Sequence, residues 1–109
     1  MKIPLSKPFK YRVNMEDVEI TEIDLDLANA PGNVLRRADM EIQRRKHVPS
    51  IKQMDTMYCG LVASYITKIP YDELESLPLA DFGLITNAVM GFLLNGSEAT
   101  EISALASDE

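Results

Sequence analysis

The sequence predicts an α+β fold, mainly α, with an N-terminal β-hairpin over residues 8–27 followed by a bundle of three main helices and one short helical turn. Two observations carry this prediction. Apolar and polar residues alternate before residue 27, which is the period of a half-buried strand. After Pro31, apolar residues recur every three or four positions, which is the period of an amphipathic helix. The 109 residues are enough for one domain, residues 1–95, and an acidic flexible tail, residues 96–109.

The predicted hairpin has an apolar face and a charged face. Residues 8–13 alternate between aromatic or aliphatic side chains and the cations Lys10 and Arg12. A polar turn over residues 14–17 follows. The apolar residues of the second strand then change phase between Ile20 and Ile23, which predicts a bulge or a bend.

Acidic residues crowd the turn and the second strand: Glu16, Asp17, Glu19, Glu22, Asp24 and Asp26. Paired carboxylates are able to perform acid–base chemistry or bind a metal ion. Their spacing lacks the ligand pattern and the central glycine of a calcium-binding loop. We therefore interpret them as the solvated face of a strand.

The first helix is predicted to start within residues 28–33, with Asn29 as its cap and Pro31 in its first turn. Its core face is expected to contain three residues at helical spacing, namely Leu35, Ala38 and Ile42. The helix should end at the cations of residues 44–47, since positive charge suits a helix C-terminus and Pro49 cannot continue the helix.

The basic segment over residues 36–46 suggests a second interpretation, in which the chain is a small DNA-binding or adaptor regulator. A net charge of −6 and the lack of a helix-turn-helix pattern argue against this interpretation. We expect a solvated helix end or ion pairs with the acidic strand, and no nucleic-acid partner. The single histidine, His47, is expected at the surface.

The second helix, over residues 54–66, carries a wide apolar stripe: Met54, Met57, Tyr58, Leu61, Val62, Tyr65 and Ile66. Cys59 lies beside this stripe and is expected to be a packing residue, because a catalytic thiol needs a base and an electropositive setting. The sequence shows no paired nucleophile and base, no metal-binding spacing and no cofactor loop. It therefore predicts a protein that is not an enzyme and that needs no cofactor.

A short helical turn is expected between Pro70 and Pro78, and a last helix over residues 79–94, with Asp81 near its start. One face of this helix contains Leu79, Phe82, Ile85, Val89, Met90 and Leu93. A second apolar set, Leu84, Ala88, Phe92 and Leu94, extends around the other side. Such a helix is either central in the core or covered on two sides, in which case self-association or a hydrophobic partner covers the remainder.

Charge and hydropathy restrict the compartment. Four of the 17 acidic residues lie within residues 97–109, which contain no Lys or Arg, so the tail carries −4 of the net charge of −6. The start of the chain does not resemble a secretion signal, and its longest apolar stretch is too short and too polar to span a membrane. With a single cysteine, these features favour a reducing cytoplasm and no membrane partner.

Four features, in this order, carry a resemblance to a known family. They are the opening Ile3–Pro8, the acidic strand Val18–Leu25 followed by Pro31 and a helix, the helix over residues 54–66, and the linker Ile69–Phe82. The linker contains the pattern Leu-x-x-Leu-Pro-x-x-Asp and leads into a final apolar helix. Over roughly residues 3–95, the chain resembles the tail assembly chaperones of long-tailed bacteriophages.

The resemblance implies a non-enzymatic protein of the host cytoplasm that binds the tape measure protein and keeps it soluble during tail assembly. It also implies absence from the mature virion. The tail tube protein is a further candidate partner, and we expect the chain to form homo-oligomers. Methionines help a surface adapt to varied partners, although packing in the core is the alternative role for them. We expect six partner-binding residues on the two apolar helices: Leu84, Ala88, Phe92, Leu94, Met54 and Met57.

Overall fold

A computed structural model describes residues 1–95, and the predicted acidic tail lies outside the described residues. The predicted α+β, mainly α architecture is confirmed, with a two-stranded antiparallel hairpin followed by helices. The elements are β1 (Lys2–Val13), β2 (Glu16–Asp24), α1 (Asn33–Arg44), a 3-10 turn (Lys52–Met54), α2 (Thr56–Thr67), α3 (Tyr71–Glu75) and α4 (Leu79–Asn95).

The hairpin starts earlier and ends earlier than predicted. β1 begins at Lys2 rather than at residue 8, and Ile3 is buried opposite Ile23. This part of β1 contains Pro4 and Pro8, which an edge strand tolerates. β2 ends at Asp24 rather than at residue 27. The next residue, Leu25, is still buried, and its amide donates a hydrogen bond to the carbonyl of Met1.

The hairpin turn is shorter than predicted, because Glu16 and Asp17 already belong to β2. Asn14 and Met15 connect the strands with φ of 51° and 64°, which gives the tight turn whose twist matches that of paired strands. Pairing is interrupted between Pro4 and Phe9 of β1, and the single residue opposite this gap on β2 is Thr21. The predicted bulge is therefore confirmed, and four residues of β1, residues 5–8, lie opposite one residue of β2.

The predicted first turn of α1 was wrong in three respects. Pro31 lies before the helix, which begins at Asn33. Its N-cap is Gly32, while the side-chain amide of Asn29 donates to the carboxylate of Asp26 instead, at 3.1 and 3.2 Å. The buried residue of its first turn is Val34, and Leu35 is 40% exposed. Both residues have helical spacing relative to the buried Ala38 and Ile42, so the spacing alone does not distinguish them.

The second helix, α2, forms the centre of the core. All residues from Tyr58 to Ser64 are buried, so α2 is surrounded on every side. The helix begins at Thr56, two residues later than predicted, because the carboxylate of Asp55 accepts a hydrogen bond from the amide of Tyr58 at 2.9 Å and caps the helix there. It ends at Thr67, and the following residue, Lys68, has the left-handed φ of 65°.

One side of α4 packs on α2, so the alternative in which α4 is the central helix is not observed. Ile85 and Val89 are fully buried on the side that faces the core. Leu84 and Leu94 are 55% and 52% exposed on the other side. The last helix therefore carries apolar surface that no described part of the chain covers.

Candidate partner-binding surface

A hydrogen-bonded clamp joins α4 to the hairpin. The carboxylate of Asp81, in the first turn of α4, is almost fully buried and accepts from the backbone amide of Ser6 at 3.1 and 3.2 Å. The Ser6 hydroxyl donates to the same carboxylate at 2.8 Å. Ser6 lies in the bulge of β1, so the extra residues of the bulge supply the donors that satisfy this buried charge. The clamp fixes the N-terminus of α4 against β1.

An apolar cleft of about 160 Å³ lies beside the C-terminal end of α4. Three segments form it: the connection before α1 together with the first turn of α1, the outer part of α2, and the end of α4. The lining residues are Leu27, Ala30, Pro31, Gly32, Val34, Leu35, Val62, Ile66, Phe92 and Leu93. A concave surface with this composition is suited to apolar side chains of a partner.

The six residues expected to bind a partner are distributed over the structure. Phe92 is half-buried and lies on the wall of the cleft. Leu84 and Leu94 are exposed on α4, and Met54 is exposed in the 3-10 turn before α2. Ala88 and Met57 are partly buried and pack against the core. Of the six, the structure therefore brings only Phe92 into the cleft.

Sequence reasoning missed most of the cleft. The missed residues include Leu35, which was assigned to the core and instead lies at the cleft rim. Pro31 and Gly32 were the local clue to one wall of the cleft, because this pair marks the connection that leads into α1. The remaining lining comes from α2 and α4, and no local pattern shows that these segments meet.

Intramolecular contacts engage several cations of the basic segment. Arg44 and Arg45 both bond the carboxylate of Glu41, with Nε–oxygen distances of 3.0 and 2.6 Å. The guanidinium of Arg37 lies 4.3 Å above the ring centre of Tyr65. These contacts lower the positive charge that the segment offers to phosphate groups.

Hydrogen bonds, first from Arg44 and then from Arg45, lower the pKa of the Glu41 carboxyl to about 2. Because the folded pKa lies below the unfolded value of about 4.3, ionised Glu41 stabilises the fold above that value and loses this effect as the pH falls towards 2. We expect Glu41→Gln to lower the free energy of unfolding by about 0.5–1 kcal/mol at pH 7, since the partner Arg44 is largely exposed. The difference from the unmodified chain should close near pH 2.

Denaturant unfolding at both pH values measures this difference. An Arg44→Gln, Arg45→Gln double variant serves as the matched control, because it removes the partners of Glu41 and should flatten the same pH dependence. An equal stability difference at pH 7 and pH 2 would show that the ion pairs of Glu41 contribute nothing.

The groups that could support catalysis have packing and capping roles in the structure. Cys59 is fully buried, and its burial raises the pKa of its thiol to about 12, so a reactive thiolate is disfavoured. The Nε2 of His47 lies 2.8 Å from the carboxylate of Asp55, the residue that caps α2. Residues 1–95 contain no cluster of three potential metal ligands.

Comparison with protein-family models, with curated proteins and with solved structures found no match. Among the described residues, no helix combines the length and the apolar character needed to cross a lipid bilayer.

Proposed function

We propose that this protein is a phage tail assembly chaperone that binds helical segments of the tape measure protein and keeps them soluble during tail assembly. The observation that carries the proposal is the apolar cleft at the end of α4, with Phe92 on its wall and Leu35 on its rim. The order of sequence segments described above, which resembles this family, supports the same function.

The size and lining of the cleft suit one class of ligand. An amphipathic helix inserts a few apolar side chains into a hydrophobic groove and leaves its polar face in water. A long helical protein offers many such side chains, and each needs cover before the tail tube surrounds it. The cleft would hold one or two of them, and the exposed Leu84 and Leu94 would extend the contact along α4.

Leu35→Glu tests the cleft directly. Burying an exposed leucine at an interface is worth roughly 1.5–3 kcal/mol, so the variant should bind tape measure segments about tenfold to a hundredfold more weakly. The fold should tolerate the change, since Leu35 is partly exposed and lies in the first turn of α1, where an acidic side chain is favourable. Isothermal titration with a soluble helical fragment of the tape measure protein measures the affinity.

Met40→Glu is the matched control, because Met40 is 62% exposed on the same helix and does not line the cleft. This variant should bind like the unmodified chain. Equal affinity of the Leu35 and Met40 variants would contradict a role for the cleft. Binding of duplex DNA that falls steeply with salt, without any binding of tape measure fragments, would instead favour a regulator that uses residues 36–46.

A further inference from the structure

We propose that the hairpin is a head-to-tail interaction surface, in which the outer edge of β1 in one chain pairs with the outer edge of β2 in a second copy. This surface differs from the cleft at the end of α4, and the proposal does not depend on the identity of any other partner.

The two strands carry opposite charge. Every charged residue of β1 is basic, and these residues are Lys2, Lys7, Lys10 and Arg12. Every charged residue of β2 is acidic, and these residues are Glu16, Asp17, Glu19, Glu22 and Asp24. A strand bearing only bases is therefore complementary to a strand bearing only acids, both within one chain and between copies.

Both strands have an edge without a paired strand, because the sheet in residues 1–95 contains β1 and β2 alone. An edge strand presents backbone amides and carbonyls to which a further strand is able to bond. Pro4 and Pro8 weaken this capacity in the first part of β1, since proline lacks the amide hydrogen. The outer part, Phe9–Val13, contains no proline and pairs with residues 16–20 within the chain.

The side chains of the outer hairpin determine which edges fit together. Lys10 lies 3.9 Å from Glu19, and Arg12 lies 4.0 Å from Asp17, with all four side chains more than half exposed. A second β2 placed beside β1 would give these bases acidic neighbours on their open side as well. Pairing β1 with β1, or β2 with β2, would place like charges opposite each other, which destabilises a sheet.

The other face of the outer hairpin also favours an added strand. Phe9 and Tyr11 stack with their ring centres 5.9 Å apart, and Val18 and Ile20 lie opposite them on β2. These side chains are half-buried. A two-stranded hairpin has little stability of its own, and a third strand with an apolar face increases it.

Joining β1 to β2 of the next copy leaves one free edge at each end. Such a heterologous contact does not stop at a dimer, and it continues until a ring closes or a filament forms. We therefore expect the mass of the unmodified chain to rise with concentration beyond that of a dimer. Sedimentation velocity at several protein concentrations measures this mass.

A fourfold charge exchange provides the decisive variant: Lys10→Glu, Arg12→Glu, Asp17→Lys and Glu19→Lys. It preserves opposite charges across the hairpin, so the fold is retained and the variant should assemble with itself. It should not co-assemble with the unmodified chain, because each mixed contact would join like charges. Co-elution of a tagged variant with untagged, unmodified chain would overturn the proposal.

The two halves of this exchange give a rescue experiment. The variant with only the two β1 changes has acids at all four exchanged positions, and the variant with only the two β2 changes has bases at all four. Each should stay at the mass of one chain when alone, and an equimolar mixture should recover assembly. A half-exchanged variant that assembles alone as the unmodified chain does would overturn the proposal. So would an unmodified chain that keeps the mass of a monomer at every concentration.

Discussion

Replacing Asp81 with alanine is expected to lower the free energy of unfolding by about 2–3 kcal/mol. The buried Asp81 carboxylate accepts hydrogen bonds from the amide and the hydroxyl of Ser6. Hydrogen bonds to a charged group contribute about 1.5–3 kcal/mol. The substitution also removes a negative charge from the first turn of α4, where it interacts favourably with the helix dipole. Urea unfolding followed by circular dichroism measures the loss.

Two milder variants separate the contributions to this clamp. Asp81→Asn keeps the shape and one acceptor oxygen, so it should destabilise the protein less than Asp81→Ala. Ser6→Ala removes the hydroxyl and keeps the backbone amide, so its effect should be about 1 kcal/mol. If the free energy of unfolding of Asp81→Ala stayed within about 0.5 kcal/mol of the unmodified value, the clamp would not hold α4 against the hairpin.

Alanine substitutions at two helical glycines should change stability in opposite directions. An added Cβ at Gly60 would lie 2.8 Å from Cε1 of Tyr71 and 3.2 Å from Cζ of Phe82. Tyr71 cannot move aside freely, because it is buried and its hydroxyl donates to Glu75 at 3.0 Å. The added methyl group would overpack the core at a cost of about 1–3 kcal/mol. This cost outweighs the gain in helix propensity from glycine to alanine, which is at most about 1 kcal/mol. Gly60→Ala should lower the free energy of unfolding by about 1–2 kcal/mol.

Gly83→Ala is the matched control for this change. A Cβ at Gly83 meets no atom within 4 Å, so only the propensity gain remains and the variant should be more stable by about 0.5–1 kcal/mol. Thermal unfolding of the two variants under the same conditions tests the contrast. A Gly60 variant as stable as the Gly83 variant would show that α2 does not pack as closely as described.

Periodicity predicted the order of elements, and it failed where packing between distant segments decides. The change from alternating to helical spacing near Pro31 located the end of the hairpin region and the start of the helices. It did not identify α2 as the central helix, because Gly60, Ala63 and Ser64 lie off the apolar stripe. Their small side chains let neighbouring elements pack closely against α2. A pattern of hydrophobicity does not show how closely two elements pack.

The candidate site was predictable only in part for the same reason. Phe92 was selected because it lies off the core face of the last helix, and the structure places it on the wall of the cleft. Ile66 is half-buried and lines the same cleft from α2, although the sequence gave it the same status as the fully buried Val62. A cleft built from three segments depends on tertiary packing, which one sequence does not reveal.

Co-expression of this chain with a tape measure protein encoded in the same genome tests the proposed function most directly. The measurement is the fraction of tape measure protein that remains soluble after lysis, with and without the chain. The proposal predicts that the tape measure protein precipitates alone, stays soluble with the chain and co-purifies with it. Leu35→Glu should reduce this soluble fraction, while Met40→Glu should not. A tape measure protein that precipitates equally in the presence of the unmodified, folded chain would contradict the proposed function.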